Sequence, residues 1–290
     1  MKTRILPAIS LILSVLAGCN GNTAQQPLLI EHTQVADSTE YVDMKMSIDL
    51  PVATDSISAK IRQDLVMLLD SQFHNLGYGE EEYRPEPYSK ADISEINAIA
   101  QFYTRQALEH TSAMAAEDYR YRTSWINEDD EMTDQMKQEI IANIPRWEFD
   151  INLSLVSDSA GYIVFNSQNY TYLGGAHGGI TGSGAVTYSR KDGHRIYTFL
   201  KPGIVNEIQP LLIEGLLSYY KDCGESMTPA ELLERLFIED NLVPLPAYAP
   251  YPTAQGLTFI YQQYEIASYA DGMPSFTIPY DKLQPYMLEF

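Results

Sequence analysis

Hydrophobic residues recur along the 290-residue chain with two different periods, and the changes of period mark out its elements. Residues 41–50 alternate, with Val42, Met44, Met46, Ile48 and Leu50 set against Asp43, Lys45, Ser47 and Asp49, which predicts a half-buried strand closed by Pro51. Helical spacing follows in Ile57, Ile61, Leu65, Leu68, Leu69 and Phe73, predicting a helix capped by Ser56 or Ser58 and stopped by Gly77. Residues 77–89 are acidic and carry Tyr, Pro and Gly, the composition of a loop. A second helix is predicted from Asp92 to about Arg120, on the stripe Ile96, Ile99, Ala100, Tyr103, Ala107, Leu108 and Met114. A third runs from Thr133 to Ile144, behind the solvated run Glu128-Asp129-Asp130-Glu131.

Period two then returns. Trp147 to Val156 and Tyr162 to Tyr172 alternate on either side of Ser159-Ala160-Gly161, which reads as strand, turn and strand. After the glycine-dense turn Gly174-Gly175-Ala176-His177-Gly178-Gly179, a strand is predicted over 184–189. The hairpin turn Lys191-Asp192-Gly193 leads into another over 195–199. Helices are predicted from Val205 to about Tyr220 and from the capping box Thr228-Pro229-Ala230-Glu231 to Phe237. A Pro/Tyr loop spans 243–251, strands cover 257–264 and 276–279, and a brief helical turn closes over 280–286. Strands and helices come in clusters rather than in strict alternation, so the expected class is α+β, mostly antiparallel sheets with packed helices in two adjoining subdomains.

The N-terminus has a different texture. Lys2 and Arg4 precede an apolar run from Ile5 to Leu16, followed by Leu16-Ala17-Gly18-Cys19. The apolar run is about a dozen residues where a spanning helix needs about 20, so it reads as an export signal with a lipobox. The expected organisation is a lipoprotein signal peptide over 1–18, lipidated Cys19 opening a flexible tether over 19–38, an N-terminal α+β domain over 39–190, and a C-terminal one over 191–290. The expected address is the cell envelope, membrane-anchored through the N-terminal lipid, with the outer membrane facing the periplasm preferred because no acidic run follows Cys19. Only Cys223 then remains, so no intrachain disulfide is expected.

Charge narrows the partners. The chain has 19 Lys+Arg against 39 Asp+Glu, a formal charge of −20, and loss of Lys2 and Arg4 with the signal takes it to −22. Such a field argues against nucleic acid and favours a cationic partner, although solubility alone also explains an acidic surface.

No catalytic set is legible. His32, His74, His110, His177 and His194 are scattered without metal-ligand spacing, and no P-loop, GxGxxG or EF-hand loop occurs, so no metal, no cofactor and no enzyme activity is expected. His177 with Gly175 in the glycine turn is the candidate contact, either presented to a ligand or pinning the turn between strands. Tyrosine is abundant, 21 against 9 Phe, and crowds the C-terminal third in Tyr248, Tyr251, Tyr261, Tyr264 and Tyr269, suiting either an interface or the edge of a core. Tyr251, Tyr264 and Tyr269 are the candidate binding tyrosines, and Glu265 either joins them or anchors a turn.

Two segments carry a resemblance. One runs through Tyr170-Thr171-Tyr172-Leu173-Gly174-Gly175-Ala176-His177 to Tyr188, Lys191-Asp192-Gly193 and residues 195–202. The other is Leu257 to Gly272, with Tyr264-Glu265-Ile266-Ala267-Ser268-Tyr269-Ala270-Asp271-Gly272, continuing through Pro274, Phe276, Ile278-Pro279-Tyr280 and Leu283. Together they resemble the two-domain extracytoplasmic module of the RsiV-type lysozyme-responsive anti-sigma factors and of PdaC-type peptidoglycan deacetylases. The resemblance covers about 39–290, most closely in the last third. It implies the module's fold and, for RsiV-like members, lysozyme binding; it does not imply catalysis, and the Asp-plus-His-x-x-x-His metal set of a deacetylase is not present. The expected function is therefore non-catalytic capture of a protein partner such as a cationic lysozyme-like muramidase. A peptidoglycan or glycan-binding module is the alternative, and an uncharacterised hydrolase a third.

Overall fold

In a computed structural model of the chain, residues 27–73, 95–159, 161–175 and 178–288 are described. The expected leader, Cys19, the loop expected over 77–89 and His177 lie outside them. The architecture is α+β, with a six-stranded, mostly antiparallel sheet in sequential order β1 to β6 and a three-stranded sheet β7-β8-β9. The described chain forms two compact units, Met1–Asn152 with Asn169–Ile180 and Leu153–Gln168 with Thr181–Phe290. The division therefore passes through β3 (Trp147–Ser159) and β4 (Tyr162–Tyr172) rather than falling at residue 190.

In the first unit the alternation of 41–50 does what it predicts. β2 (Val42–Pro51) turns Val42, Met44, Met46, Ile48 and Leu50 into the core, none more than 1 % exposed. Packed on it are α1 (Ser56–Phe73), through Ile61, Leu65 and Leu69, and α2 (Ile96–Glu128), through Ile99, Tyr103 and Ala107. The α1 cap is Asp55, whose Oδ1 accepts the N–H groups of Ile57 and Ser58 at 2.9 and 2.8 Å, while the Ser58 hydroxyl accepts from the Asp55 N–H at 3.0 Å. Neither predicted serine is the cap itself. A carboxylate accepts two orphan donors where a serine at N3 is placed only to reach back. α2 runs eight residues beyond Arg120, since no glycine or proline interrupts it before Asp129. α3 (Asp134–Ala142) starts at Thr133, whose hydroxyl accepts from Met136 N–H.

The tether expected over 19–38 gives way at Ile30. β1 (Ile30–Ser38) pairs along its whole length with β2, from Ile30 opposite Pro51 to Ser38 opposite Asp43. An edge strand is held by backbone hydrogen bonds and turns polar side chains to water, so it carries little hydrophobic period. Thr33, buried opposite Ile48, is its inward link, and the cross-strand pair His32 Nδ1–Asp49 Oδ1, at 2.7 Å, ties the two strands on the opposite face.

In the second unit, β5 (Ile180–Ser189) pairs with the short β6 (Arg195–Ile196). The helix predicted from Val205 is broken into a 3-10 turn over Ile204–Asn206 and α4 (Gln209–Asp222), because Pro210 lacks the N–H that an internal position needs and is tolerated only in the first turn. α5 (Pro229–Arg235) has the predicted capping box, with Thr228 Oγ1 accepting from Glu231 N–H and Glu231 Oε2 accepting from Thr228 N–H. α4 lies on β9 (Ser275–Pro279), and β8 (Gly256–Ile260) is the middle strand between β7 (Tyr251–Pro252) and β9. Leu212, Leu216 and Tyr220 of α4 share the core with Leu257, Phe259, Tyr261, Phe276 and Ile278. α6 (Tyr280–Leu283) closes it with Leu283.

Candidate functional site

The strand expected over 257–264 ends at Ile260 and gives way to a braced loop. Tyr261 turns into the core and its hydroxyl donates to Pro244 O at 2.8 Å, with burial pushing its pKa far up. Gln262 and Gln263 then spend their side chains on the edge of β5. Gln262 Oε1 accepts the Ser183 N–H and its Nε2 donates to Ser183 O, both at 2.8 Å, and Gln263 Oε1 accepts the Thr181 N–H at 2.7 Å. A side-chain amide thus takes the place of a neighbouring strand. Glu265 braces the loop from the other side: Oε1 accepts from Ala247 N–H at 2.6 Å and Oε2 from Gln262 N–H at 2.7 Å. Of its two predicted roles, this is the turn anchor.

Between these braces stands Tyr264. The Glu265 N–H donates to Gln262 O at 3.1 Å, closing a turn in which Tyr264 sits at φ 64°. That is the third position of a type II turn, where glycine or asparagine is favoured because a Cβ is crowded. A bulky residue at positive φ is strained and is kept there only by its surroundings. The ring is nonetheless 53 % exposed, with Tyr269 as its neighbour at 5.7 Å between centroids. Beside this loop, the Phe237 N–H donates to Ile266 O at 2.7 Å, and the Phe237 ring is 61 % exposed. Exposed Glu239 and Asp240 follow it. The result is an aromatic surface with an acidic border.

The loop's far end is also fixed. Asp271 accepts from Ser268 N–H and hydroxyl at 3.0 and 2.6 Å and is bridged by Arg235, which also pairs with Glu225 and lies 4.6 Å over the Tyr220 ring. Burial works to raise the Asp271 pKa, but the Ser268 and Arg235 hydrogen bonds together with the Arg235 charge outweigh it and hold the carboxyl below its ordinary value. Burial, then the Asp271 charge, pushes the Tyr220 hydroxyl up to about 12.

A small groove opens along the same edge of β5. Its lining includes Ala185, Arg195, Tyr197, Thr198, Tyr248 and Pro250, and its volume is about 150 Å³. β6 stops at Ile196 instead of the expected Phe199 because the Thr198 hydroxyl accepts the Leu200 N–H at 3.2 Å, turning the chain off the ladder.

The remaining predicted residues sit elsewhere. Tyr251 is half-buried in β7 opposite Thr258, and burial raises its pKa against a smaller opposing effect of the Thr258 hydrogen bond. Gly175 is exposed in the first unit, next to a turn held by Arg122, whose guanidinium donates to Gly174 O at 2.5 Å and Leu173 O at 2.7 Å. Tyr264, Glu265 and Tyr269 are thus brought together; Gly175 is not among them. Phe237, Tyr197, Gln262 and Gln263 were not singled out by the sequence, although two consecutive glutamines breaking an apolar alternation were a visible signal. Among the described residues, no three His, Cys, Asp or Glu side chains gather as a metal cage, and no helix is long and apolar enough to cross a membrane.

The braced loop and the small sheet fall within a stretch that also matches a known family. Residues 199–281 match "Protein of unknown function (DUF3298)". The DUF3298 segment thus runs from the core residue Phe199 through α4, α5 and β7–β9 into α6. Two solved structures extend the likeness to the fold of the chain. A DUF3298 family member from Bacteroides fragilis is similar with a TM-score of 0.57 at 16 % identity, covering 90 % of this chain and 94 % of that one. A DUF3298 family protein from Pseudomonas aeruginosa gives 0.52 at 15 % identity, covering 91 % and 95 %. At such identities the likeness concerns the fold alone. No curated protein sequence matches the chain.

Proposed function

We propose that the chain is a lipid-anchored cell-envelope binding protein, non-catalytic, that captures a cationic protein partner through the loop face carrying Tyr264. The partner class that fits best is a lysozyme-like muramidase, as the RsiV-type resemblance implies, and the anchor is the acylated Cys19. The observation that carries the reading is Tyr264 itself: a tyrosine held in the left-handed region, largely exposed, on a loop braced by Glu265 and Gln262. Rigid exposed aromatics are the residues from which protein interfaces draw most of their binding energy, and preorganisation lowers the entropic cost of using them. Phe237 extends the surface, Glu239 and Asp240 border it, and the −22 mature charge speeds encounter with a basic partner.

The test is binding of the unacylated chain from Asn20 onward to immobilised lysozyme over a salt series. Affinity is expected to fall about tenfold or more between about 0.05 and 0.5 M salt, as exposed charges are screened. Tyr264→Ala should weaken the complex at every salt concentration. Salt-independent affinity, or no complex at micromolar concentrations, would remove the reading.

A further inference from the structure

The outer edge of β5 is satisfied by a repeating arrangement that stops one position short of β6. In an antiparallel strand the N–H and the C=O of one residue point to the same side, and the side alternates residue by residue. Thr187, on the outer side, pairs with Ile196, and the Ser189 N–H donates to His194 O at 2.8 Å. At Thr181 and Ser183 the neighbour is a glutamine side chain instead of a strand. Gln263 Oε1 accepts the Thr181 N–H at 2.7 Å. Gln262 serves both groups of Ser183, its Oε1 accepting the N–H and its Nε2 donating to the C=O, each at 2.8 Å. Ala185 lies between the two arrangements. The β5–β6 register, continued by two residues, would set Thr198 opposite it, but β6 ends at Ile196. Nothing among the described residues pairs with Ala185 on that edge.

Ala185 opens into the groove of about 150 Å³, whose walls include Tyr248, Pro250 and Tyr197. The Tyr248 ring is 53 % exposed and lies against the backbone of Gly184, where a Cβ would stand 3.0 Å from its Cδ1. Tyr197 is 74 % exposed, with the Arg195 guanidinium 5.2 Å from its centroid.

We propose that Ala185 receives a primary carboxamide, the side chain of an asparagine or glutamine on the captured protein, held as Gln262 holds Ser183. In a primary carboxamide the oxygen and one N–H point the same way, so a single group meets the parallel N–H and C=O of one strand residue. A trans secondary amide has them opposed and meets only one. A carboxylate brings no donor, and an ammonium or guanidinium no acceptor. A nucleobase edge offers the same pair, but its phosphates would meet a chain of charge −20. An extended peptide would need the positions of Ser183 and Thr187 as well, and both are filled. The methylenes of the incoming side chain would pack on the Tyr248 ring. The inference rests on the reading that the chain captures a protein and adds a specificity position to it: Gln262, which bounds the position on one side, is two residues before Tyr264.

The experiment is an NMR titration of the nitrogen-15-labelled, unacylated chain from Asn20 onward with three probes that share their backbone amides and differ in the side chain. They are N-acetylglutamine N-methylamide, its side-chain dimethylamide, and N-acetylglutamate N-methylamide, in about 0.5 M salt to screen the repulsion of the last. The glutamine probe is expected to shift the Ala185 amide signal saturably. The other two should bind about tenfold more weakly, since each leaves the Ala185 C=O without a donor. Ala185→Pro removes the outward N–H, a change that an edge position tolerates, and Tyr248→Ala removes one wall. Each, with circular dichroism unchanged, should weaken the glutamine probe about fivefold or more, read from the Val186 signal. Equal affinity for the three probes, no saturation by about 100 mM, or full binding by either folded variant would overturn the proposal. A saturating glutamine probe without a lysozyme complex would remove the muramidase and keep the site, whereas a lysozyme complex without probe saturation would remove the site and keep the Tyr264 face.

Discussion

Replacing Tyr264 by glycine and by alanine separates what the ring does from what the backbone costs. With φ at 64° the residue is in the left-handed region, a penalty of about 1–2 kcal/mol for any side chain with a Cβ. At 53 % exposure the ring keeps roughly 100 Å² from water, about 2 kcal/mol at most by apolar transfer. Tyr264→Ala loses the ring's packing and keeps the strain, so it should destabilise by about 2 kcal/mol. Tyr264→Gly loses the same packing but relieves the strain, so it should end within about 1 kcal/mol of the parent, and about 1 kcal/mol above the alanine variant. Urea unfolding followed by circular dichroism, comparing midpoints at constant slope, reads this difference. An alanine variant as stable as the glycine variant would mean that the turn is not strained. Tyr264 would then not be held against strain for the sake of its exposed ring. Should the glycine variant keep its stability and lose lysozyme, the ring acts in binding and not in folding.

Three further outcomes rest on the braces and edges. Asp271, whose carboxyl is held below its ordinary value, adds stability that is fully present above about pH 4, its unfolded value, and fades as pH falls through the lower folded value. Asp271→Asn should lower stability at neutral pH and flatten that part of the acid limb; an unchanged limb would show that the Arg235 and Ser268 bonds contribute nothing. Thr228→Ala removes the α5 cap and should cost about 1 kcal/mol in urea melts, while an effect near zero would mark the α5 start as already frayed. Starting the chain at Asp37 deletes most of β1 and strips the edge of β2, so this fragment should unfold at clearly lower urea than one starting at Leu28; equal midpoints would mean that β1 adds no stability.

What the sequence makes legible depends on whether side chains or backbone hold an element. β2, with every second residue buried, and the α5 capping box can be read directly, because their determinants are residue types at fixed offsets. β1 cannot, since its pairing is made by backbone groups and its side chains carry little hydrophobic alternation. The alternation predicts β6 three residues longer than it is, because nothing in it reveals that the Thr198 hydroxyl captures the Leu200 N–H. At the binding surface, the tyrosine cluster and the alternative that Glu265 anchors a turn were both open to reading, whereas Phe237 joined it only through a bond to Ile266, distant in sequence. The groove beside β5 is a property of where neighbouring elements stop, and no single residue announces it.

The early start of β1 bears on how far this protein can reach. The carbonyl of Leu29 already accepts the Val52 N–H at 2.8 Å, so with the proposed anchor at Cys19 the leash comprises at most residues 20–27, which span no more than about 29 Å when fully stretched, less than half the excursion that a tether to Ser38 would allow. The folded body would then patrol a thin layer next to the lipid, and a soluble partner would have to approach the bilayer to be met. Lengthening the leash by inserted Gly-Ser repeats would widen that layer without altering a single contact on the binding face.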